Sequence, residues 1–310
     1  MKRLLVTVAL VLATAAGSLA KAPRVGVTTL TFTKASVTNG PPRVLTTVVW
    51  YPAARGTGTA ETFGLRDADV RPGRYPLVVF SHGTCGRPTE ASYLTMALAA
   101  RGFVVAAPPH PGNTADDFPG CLVGPLFVDS FLNRVPDVRF VIDSMLAEAT
   151  SGSSRFSGRL RSDAIAVTGL SFGGFTTLSA AQREPRLDAV LALAPGGTAV
   201  LQPAAIPIPA MVIGSEKDEV VGFAESEKAY QRLAGPRFLV ELQGGTHLNF
   251  TDSCVPLCGA DAPSQAKAHR LVLHYALPFM RHYLARDRGG TAVLSRKIRG
   301  VKVTTEARRP

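Results

Sequence analysis

A buried-strand run, Ala164–Thr168, feeds directly into Gly169-Leu170-Ser171-Phe172-Gly173, and a helix of mostly small residues, Gly173–Arg183, leaves it. Few folds accept a serine flanked in this way at a strand-to-helix turn. The chain must reverse so sharply that a side chain at Gly169 or Gly173 would collide with neighbouring backbone, and the turn lifts the hydroxyl above the sheet. It also aims the positive end of the following helix at the serine, where a developing oxyanion would be stabilised. The five-residue pattern alone carries little weight; the strand before it and the helix after it give it meaning.

The surrounding sequence has the rhythm such a turn requires. Val25–Phe32 and Val44–Tyr51 alternate apolar and polar residues around Asn39-Gly40-Pro41-Pro42, which reads as two antiparallel strands joined by a turn. Residues 53–76 read as a loop. Then Leu77–Ser81, Phe103–Ala107, Ala164–Thr168, Ala189–Ala194, Ala210–Ile213 and Phe238–Leu242 form near-continuous apolar runs, as expected of parallel strands covered on both faces. Helical patterns alternate with them at Thr89–Arg101, Asp137–Ala149, Gly173–Arg183, Phe223–Leu233 and Ala266–Leu284. The expectation is an α/β protein: a mostly parallel central sheet, antiparallel N-terminal strands and helices on both faces. No repeat or linker divides the 310 residues, so one main domain is expected over residues 21–286.

The two ends differ in kind. Lys2 and Arg3 precede an apolar run from Leu4 to Ala16, and Ser18-Leu19-Ala20 ends in small residues, which reads as an export leader over residues 1–20. Thirteen apolar residues fall short of the roughly 20 needed to span a bilayer. No later run is long enough, so no transmembrane segment is expected and the mature chain should be secreted or periplasmic. Residues 287–310 read as a basic, solvated tail; from Arg286 onward eight basic residues face Asp287 and Glu306, which supplies +6 of the net +11. No nucleic-acid-binding motif accompanies that charge, so no nucleic acid partner is expected. The four cysteines, Cys85, Cys121, Cys254 and Cys258, suit an oxidising compartment and permit three pairings. Cys85 with Cys121 and Cys254 with Cys258 are favoured because each pair would staple loops at one edge; a zinc site is disfavoured because Cys254-x-x-x-Cys258 lacks a second ligand pair at suitable spacing.

A nucleophilic serine needs a base, and the base an orienting acid, in the chain order serine, acid, histidine. Asp218 follows Val212-Ile213-Gly214 at the carboxyl end of a strand, with Glu216 and Glu219 as rivals; Asp188 precedes its strand and belongs at the opposite end. His247 follows the last strand in Gly244-Gly245-Thr246-His247, where small residues permit close approach. His269, His274 and His282 fall on a helical pattern, and His82 and His110 precede Ser171. Oxyanion donors are expected from the backbone N–H of Phe172 and of Thr84, with Cys85 the alternative to Thr84; His82 stands open between supporting the site and serving the fold.

These residues together resemble the branch of the α/β-hydrolase superfamily that groups dienelactone-hydrolase-like proteins, platelet-activating-factor acetylhydrolases and cutinase-like polyester hydrolases. The matching stretches are Val48–Pro52, Phe80–Gly83, Val105–Gly112, Val138–Leu146, Gly169–Gly174, Ile213–Asp218 and Gly245–His247, which run across most of the chain. The resemblance implies a secreted serine esterase or lipase-like enzyme with a Ser171–Asp218–His247 triad, no cofactor and no metal. It implies esters or short acyl groups as substrates; the expected partner is a small-molecule, lipid or polymer ester, and the chain is expected to be a monomer. The alternatives are a polyester hydrolase, a serine peptidase or amidase on the same fold, and a non-catalytic binding protein. Dienelactone hydrolases carry a cysteine at the position of Ser171. Polyester hydrolases carry an aromatic at the position of Thr84, and a tryptophan where this chain reads Ala194-Pro195-Gly196-Gly197. No aromatic clamp for a terephthalate ring is therefore expected.

Overall fold

The structure, a computed structural model, describes residues 24–201, 204–253, 262–287, 289 and 291–306. The expected leader and the Cys254–Cys258 pairing lie outside these residues.

Among the described residues eleven strands form one sheet: β1 (Val25–Lys34), β2 (Arg43–Pro52), β3 (Thr59–Glu61), β4 (Gly64–Arg66), β5 (Tyr75–Ser81), β6 (Val104–Ala107), β7 (Leu160–Leu170), β8 (Ala189–Leu193), β9 (Ala210–Ser215), β10 (Arg237–Leu242) and β11 (Val301–Glu306). Their spatial order is β11-β10-β9-β8-β7-β5-β6-β2-β1-β4-β3. From β6 to β10 every neighbouring pair is parallel, while β1, β2 and β6 pair antiparallel. The helices are α1 (Ser92–Ala100), α2 (Pro125–Thr150), α3 (Phe172–Ala181), α4 (Phe223–Gln231), α5 (Gln265–Ala285) and the short α6 (Thr291–Leu294).

Period-two alternation divides the strand residues between two cores. Val78 and Phe80 pack with α1 and α5 on one face, and Leu77 and Val79 pack with α2, α3 and α4 on the other. All seven residues of β5 are buried, which accounts for its unbroken apolar sequence. Each fully buried Val or Leu side chain contributes about 1.5–3 kcal/mol relative to exposure. The strand order reverses between β5 and β7. The chain proceeds from β5 to β6 in one direction and from β7 to β10 in the other, so the loops after β5 and β7 part and leave a crevice at their carboxyl ends. Ser81 and Gly169 are partners in register at that point.

Three elements differ from the sequence expectation. Residues 53–76 contain β3 and β4, each three residues long, and Trp50 donates its indole N–H to Phe63 O beside them. Helix α2 begins at Pro125 rather than Asp137 and carries Pro136 inside it. A proline deprives a helix of one N–H donor without ending it when packing holds both sides; here Ser130, Asn133, Arg134 and Asp137 are all buried. The expected solvated tail also supplies a strand. β11 runs antiparallel to β10, with Val301 opposite Leu242 and Val303 opposite Val240. Val301 is buried against α5, while Lys302 pairs with Glu241 and Arg237 with Glu306. The basic residues of that segment obscured an apolar alternation beneath them.

Candidate active site

Ser171 caps the start of α3 with φ 57° and ψ −115°, a conformation that costs a non-glycine residue about 1–3 kcal/mol. The neighbours enforce it. A Cβ on Gly169 would meet Gly173 O and Ser81 O at 2.5 Å, and one on Gly173 would overlap the Ser81 carbonyl. The Ser171 N–H donates to Leu193 O at 2.9 Å, which ties the turn to β8. The Ser171 carbonyl accepts from Phe175 N at 3.0 Å and Gly196 N at 3.4 Å. Because a peptide unit is planar and trans, that inward carbonyl sends the Phe172 N–H the opposite way, at a helix start where amides lack intrahelical partners.

The second expected donor is set by the same logic. The Gly83 carbonyl accepts from His82 Nδ1 at 2.8 Å, from Gly86 N at 3.2 Å and from Arg134 Nη2 at 3.2 Å. The Gly83–Thr84 peptide is trans, so the Thr84 N–H points away from this buried network. Gly83 sits close enough to the nucleophile turn that a Cβ there would be 3.5 Å from Ser171 Cβ. The Cys85–Cys121 disulfide is formed and fastens the loop that carries Thr84 to the segment preceding α2.

Asp218 and His247 lie in the loops after β9 and β10. The His247 Nδ1–H donates to Asp218 Oδ2 at 2.7 Å, while Asp218 Oδ1 accepts the N–H groups of Val220 at 3.0 Å and Val221 at 2.8 Å. Burial pushes the Asp218 carboxyl upward, but the His247 ring and the two amides outweigh it and hold the group below its ordinary value. Three further bonds stitch the two loops together: Glu216 N to Leu242 O, Lys217 N to Gly245 O and Gly244 N to Glu216 Oε2. The rival acids are placed elsewhere. Glu216 is exposed and spent on Gly244, Glu219 is exposed, and Asp188 accepts from Ile165 N at the far end of the sheet.

A cleft of about 490 Å³ opens between these loops, lined by Thr84, Ser171, Phe172, Gly196, Val221 and the ring of Phe131, among others. It thus brings three of the five expected site residues or their neighbours, Thr84, Ser171 and Phe172, to one wall. Val221, whose amide holds Asp218, lies in the same lining. Phe127 and Phe131 from the first turns of α2 stack on Phe172 at 5.4 and 5.9 Å between ring centroids, and Phe131 lies 5.6 Å from Phe175. This wall was not expected, because α2 was placed after it. The signal was the i, i+4 spacing of Phe127 and Phe131 upstream of Pro136.

Behind the site lies a second serine–histidine–aspartate row that the sequence reading also missed. Ser81 Oγ is 2.9 Å from His110 Nε2, and His110 Nδ1 is 3.1 Å from Asp137 Oδ2; Arg43 donates to both oxygens of that carboxylate, Nε to Oδ1 and Nη2 to Oδ2. All three members are fully buried and none lines the cleft, so this row serves the fold. Burial, with the Arg134 charge, pulls His110 down to about 4 and His82 well below its ordinary value, so both rings are neutral near pH 7. His82 supports the Gly83 carbonyl, which answers the question the sequence left open. His269 Nε2–H donates to Thr251 O at 2.8 Å and the ring stacks on Tyr93; His282 Nδ1–H donates to Asp287 O at 3.3 Å.

Architecture and site together define a class. The ferulic acid esterase from Streptomyces cinnamoneus aligns over 93% of this chain and 98% of its own with a TM-score of 0.73 at 22% identity, which establishes the α/β-hydrolase fold. The chain belongs to the PETase, or PET hydrolase-like, family, whose match covers residues 28–258. It is 28% identical over 186 residues to "Cutinase est2" of Thermobifida alba, covering 58% of this chain and 56% of that one. It is 27% identical over 213 residues to "Bis(hydroxyethyl) terephthalate hydrolase" of Streptomyces coelicolor, covering 68% and 62%. The matched region therefore spans little more than half the length of these curated relatives. Among the described residues no helix is long and apolar enough to cross a membrane.

Proposed function

We propose that the chain is an exported serine hydrolase that cleaves carboxylic esters through an acyl-enzyme on Ser171. The reading is supported by the strained Ser171 turn at the wall of a cleft that Val220 and Val221 also line, and by the Asp218–His247 hydrogen bond, whose carboxylate those two valine amides hold. Because Nδ1 of His247 is committed to Asp218, Nε2 is the nitrogen left to take the Ser171 proton. Ser171 Oγ then attacks the ester carbonyl, and the N–H groups of Phe172 and Thr84 receive the oxyanion. Collapse breaks the ester C–O bond, and the proton on His247 Nε2 goes to the departing alcohol. Water, deprotonated by the same nitrogen, attacks the acyl carbonyl and releases the acid with Ser171 restored. Asp218 keeps the imidazole in one tautomer and stabilises its transient charge.

Family membership and the names of the relatives, a cutinase, a terephthalate-ester hydrolase and a ferulic acid esterase, support esters as the substrates. The wall of Phe127, Phe131 and Phe172 suits a flat, apolar acyl group and offers aromatic surface that Thr84 and the Ala194–Gly197 stretch do not supply. The Cys85–Cys121 disulfide supports an oxidising compartment and so agrees with the leader-like N-terminus. The test is labelling with a fluorophosphonate followed by peptide mapping, with p-nitrophenyl ester turnover measured in parallel. Modification at Ser171 and a loss of several orders of magnitude in Ser171→Ala are expected; normal turnover by Ser171→Ala would rule the assignment out.

A further inference from the structure

Arg134 is among the largest fully buried side chains of the described residues, and it sits behind both expected oxyanion donors. Its Nη1 donates to His82 O at 2.7 Å, and its Nη2 donates to Gly83 O at 3.2 Å and to Asn113 Oδ1 at 3.0 Å. Its guanidinium carbon lies 4.2 Å from the centroid of the Phe172 ring. One planar cation therefore touches the Gly83–Thr84 peptide on one side and the residue that carries the other donor on its face. Asn113 aims the fork, and in turn donates through Nδ2 to Cys121 O, next to the disulfide that fastens the loop.

We infer that Arg134 is a positioning residue for the proposed oxyanion hole, fixing the distance and direction of the Thr84 N–H relative to the Phe172 N–H and polarising the Thr84 peptide toward developing negative charge. This rests on the reading of Ser171 as nucleophile. A guanidinium bonded to a carbonyl draws electron density toward that oxygen and makes the N–H of the same peptide a stronger donor, since the two ends share one conjugated unit. Burial lowers Arg134 to about 9, opposed by the Glu90 and Asp137 carboxylates, so the group remains cationic at neutral pH. A lysine retains charge but lacks the planar fork that reaches His82 O, Gly83 O and Asn113 Oδ1 together.

The experiment compares wild type, Arg134→Lys and Asn113→Ala, each normalised to active sites by fluorophosphonate titration. Arg134→Lys should lower kcat for p-nitrophenyl butyrate on the order of ten- to a hundredfold per titrated site with KM nearly unchanged, below the full loss of an oxyanion donor. Affinity for a phenylboronic acid, whose tetrahedral adduct places an oxygen in the same hole, should fall in parallel. Asn113→Ala, which keeps the cation but frees its fork, should show a smaller loss of both and carries the comparison if the lysine variant does not fold. A drop in melting temperature with kcat per titrated site and boronate affinity unchanged would mean that Arg134 serves the fold alone, and overturns the inference. Failure of the wild-type protein to label at Ser171 is a different result: it removes the nucleophile assignment beneath it.

Discussion

Asp218 and His247 meet at 2.7 Å because β9 and β10 are parallel neighbours that end together, with Ser215 opposite Leu242. Each residue then needs only a short loop to reach the other, three residues beyond Ser215 and five beyond Leu242. Glycine lets the two loops approach: a Cβ on Gly245 would meet Ser215 Oγ at 2.8 Å. The geometry of the pair is thus set by the sheet, and the carboxylate is spent before any substrate arrives.

Replacing Asp218 by Asn leaves this frame intact but offers His247 Nδ1 either a donor or a weaker acceptor. The expected result is a fall in kcat on the order of 10³–10⁴-fold with little change in KM, as expected for loss of the correct tautomer. Steady-state kinetics on p-nitrophenyl butyrate checks it, and a variant within a few-fold of wild type would exclude Asp218 as the orienting acid.

Phe131 is the central ring of the cleft wall, touching Phe172 and Phe175 as well as Phe127. Phe131→Ala should reduce kcat/KM for p-nitrophenyl benzoate relative to p-nitrophenyl acetate by about three- to tenfold, the worth of one aromatic contact of about 0.5–1.5 kcal/mol. An unchanged ratio would place the acyl group elsewhere.

The Cys85–Cys121 bond links positions 36 residues apart. Loop-closure entropy assigns such a crosslink about 4 kcal/mol. Cys85→Ser with Cys121→Ser should therefore lower the urea midpoint clearly, and it should also lower kcat, because Cys85 follows Thr84 directly. Loss of stability without loss of turnover would show that the loop holds its shape unaided.

Burial pushes the Glu90 carboxyl up to about 7 from 4.5, against the Gly83 N–H that it accepts and the nearby Arg134 charge. Asp252, whose backbone N–H donates to Glu90 O, adds a second acidic neighbour and raises it further. Between pH 4.5 and 7 the folded chain keeps a proton that the unfolded chain has released, so the contribution is whole below 4.5 and is lost as pH rises through 7. Glu90→Gln lacks this dependence. Unfolding free energies measured from pH 4.5 to 8 should show the variant gaining on wild type as pH rises. His82 and His110 are common to both proteins and cancel in the difference; a flat difference would contradict the assignment.

Much of this was legible in the sequence for simple reasons. Strands buried on both faces must be apolar throughout, and the Ser171 turn must have glycine where Ser81 and Gly173 leave no room. Asp218 and His247 follow strands at the end where loops converge. What escaped the sequence depends on contacts between distant segments. Nothing local in the sequence announces that His82, Gly83 and Asn113 will surround Arg134. Pro136 reads as a boundary, although packing on either side carries α2 through it and so brings Phe127 and Phe131 to the cleft. β3 and β4 are too short to declare themselves.

Strand β11 has a practical meaning for anyone making this protein. Residues 301–306 follow the other ten strands in the chain, so each nascent molecule passes through a stage in which β10 has no strand on its outer side. Trimming the carboxyl terminus as dispensable charge would make that stage permanent and invite molecules to stack on one another. An affinity handle belongs elsewhere, or behind a spacer that leaves Val301 and Val303 free to seat.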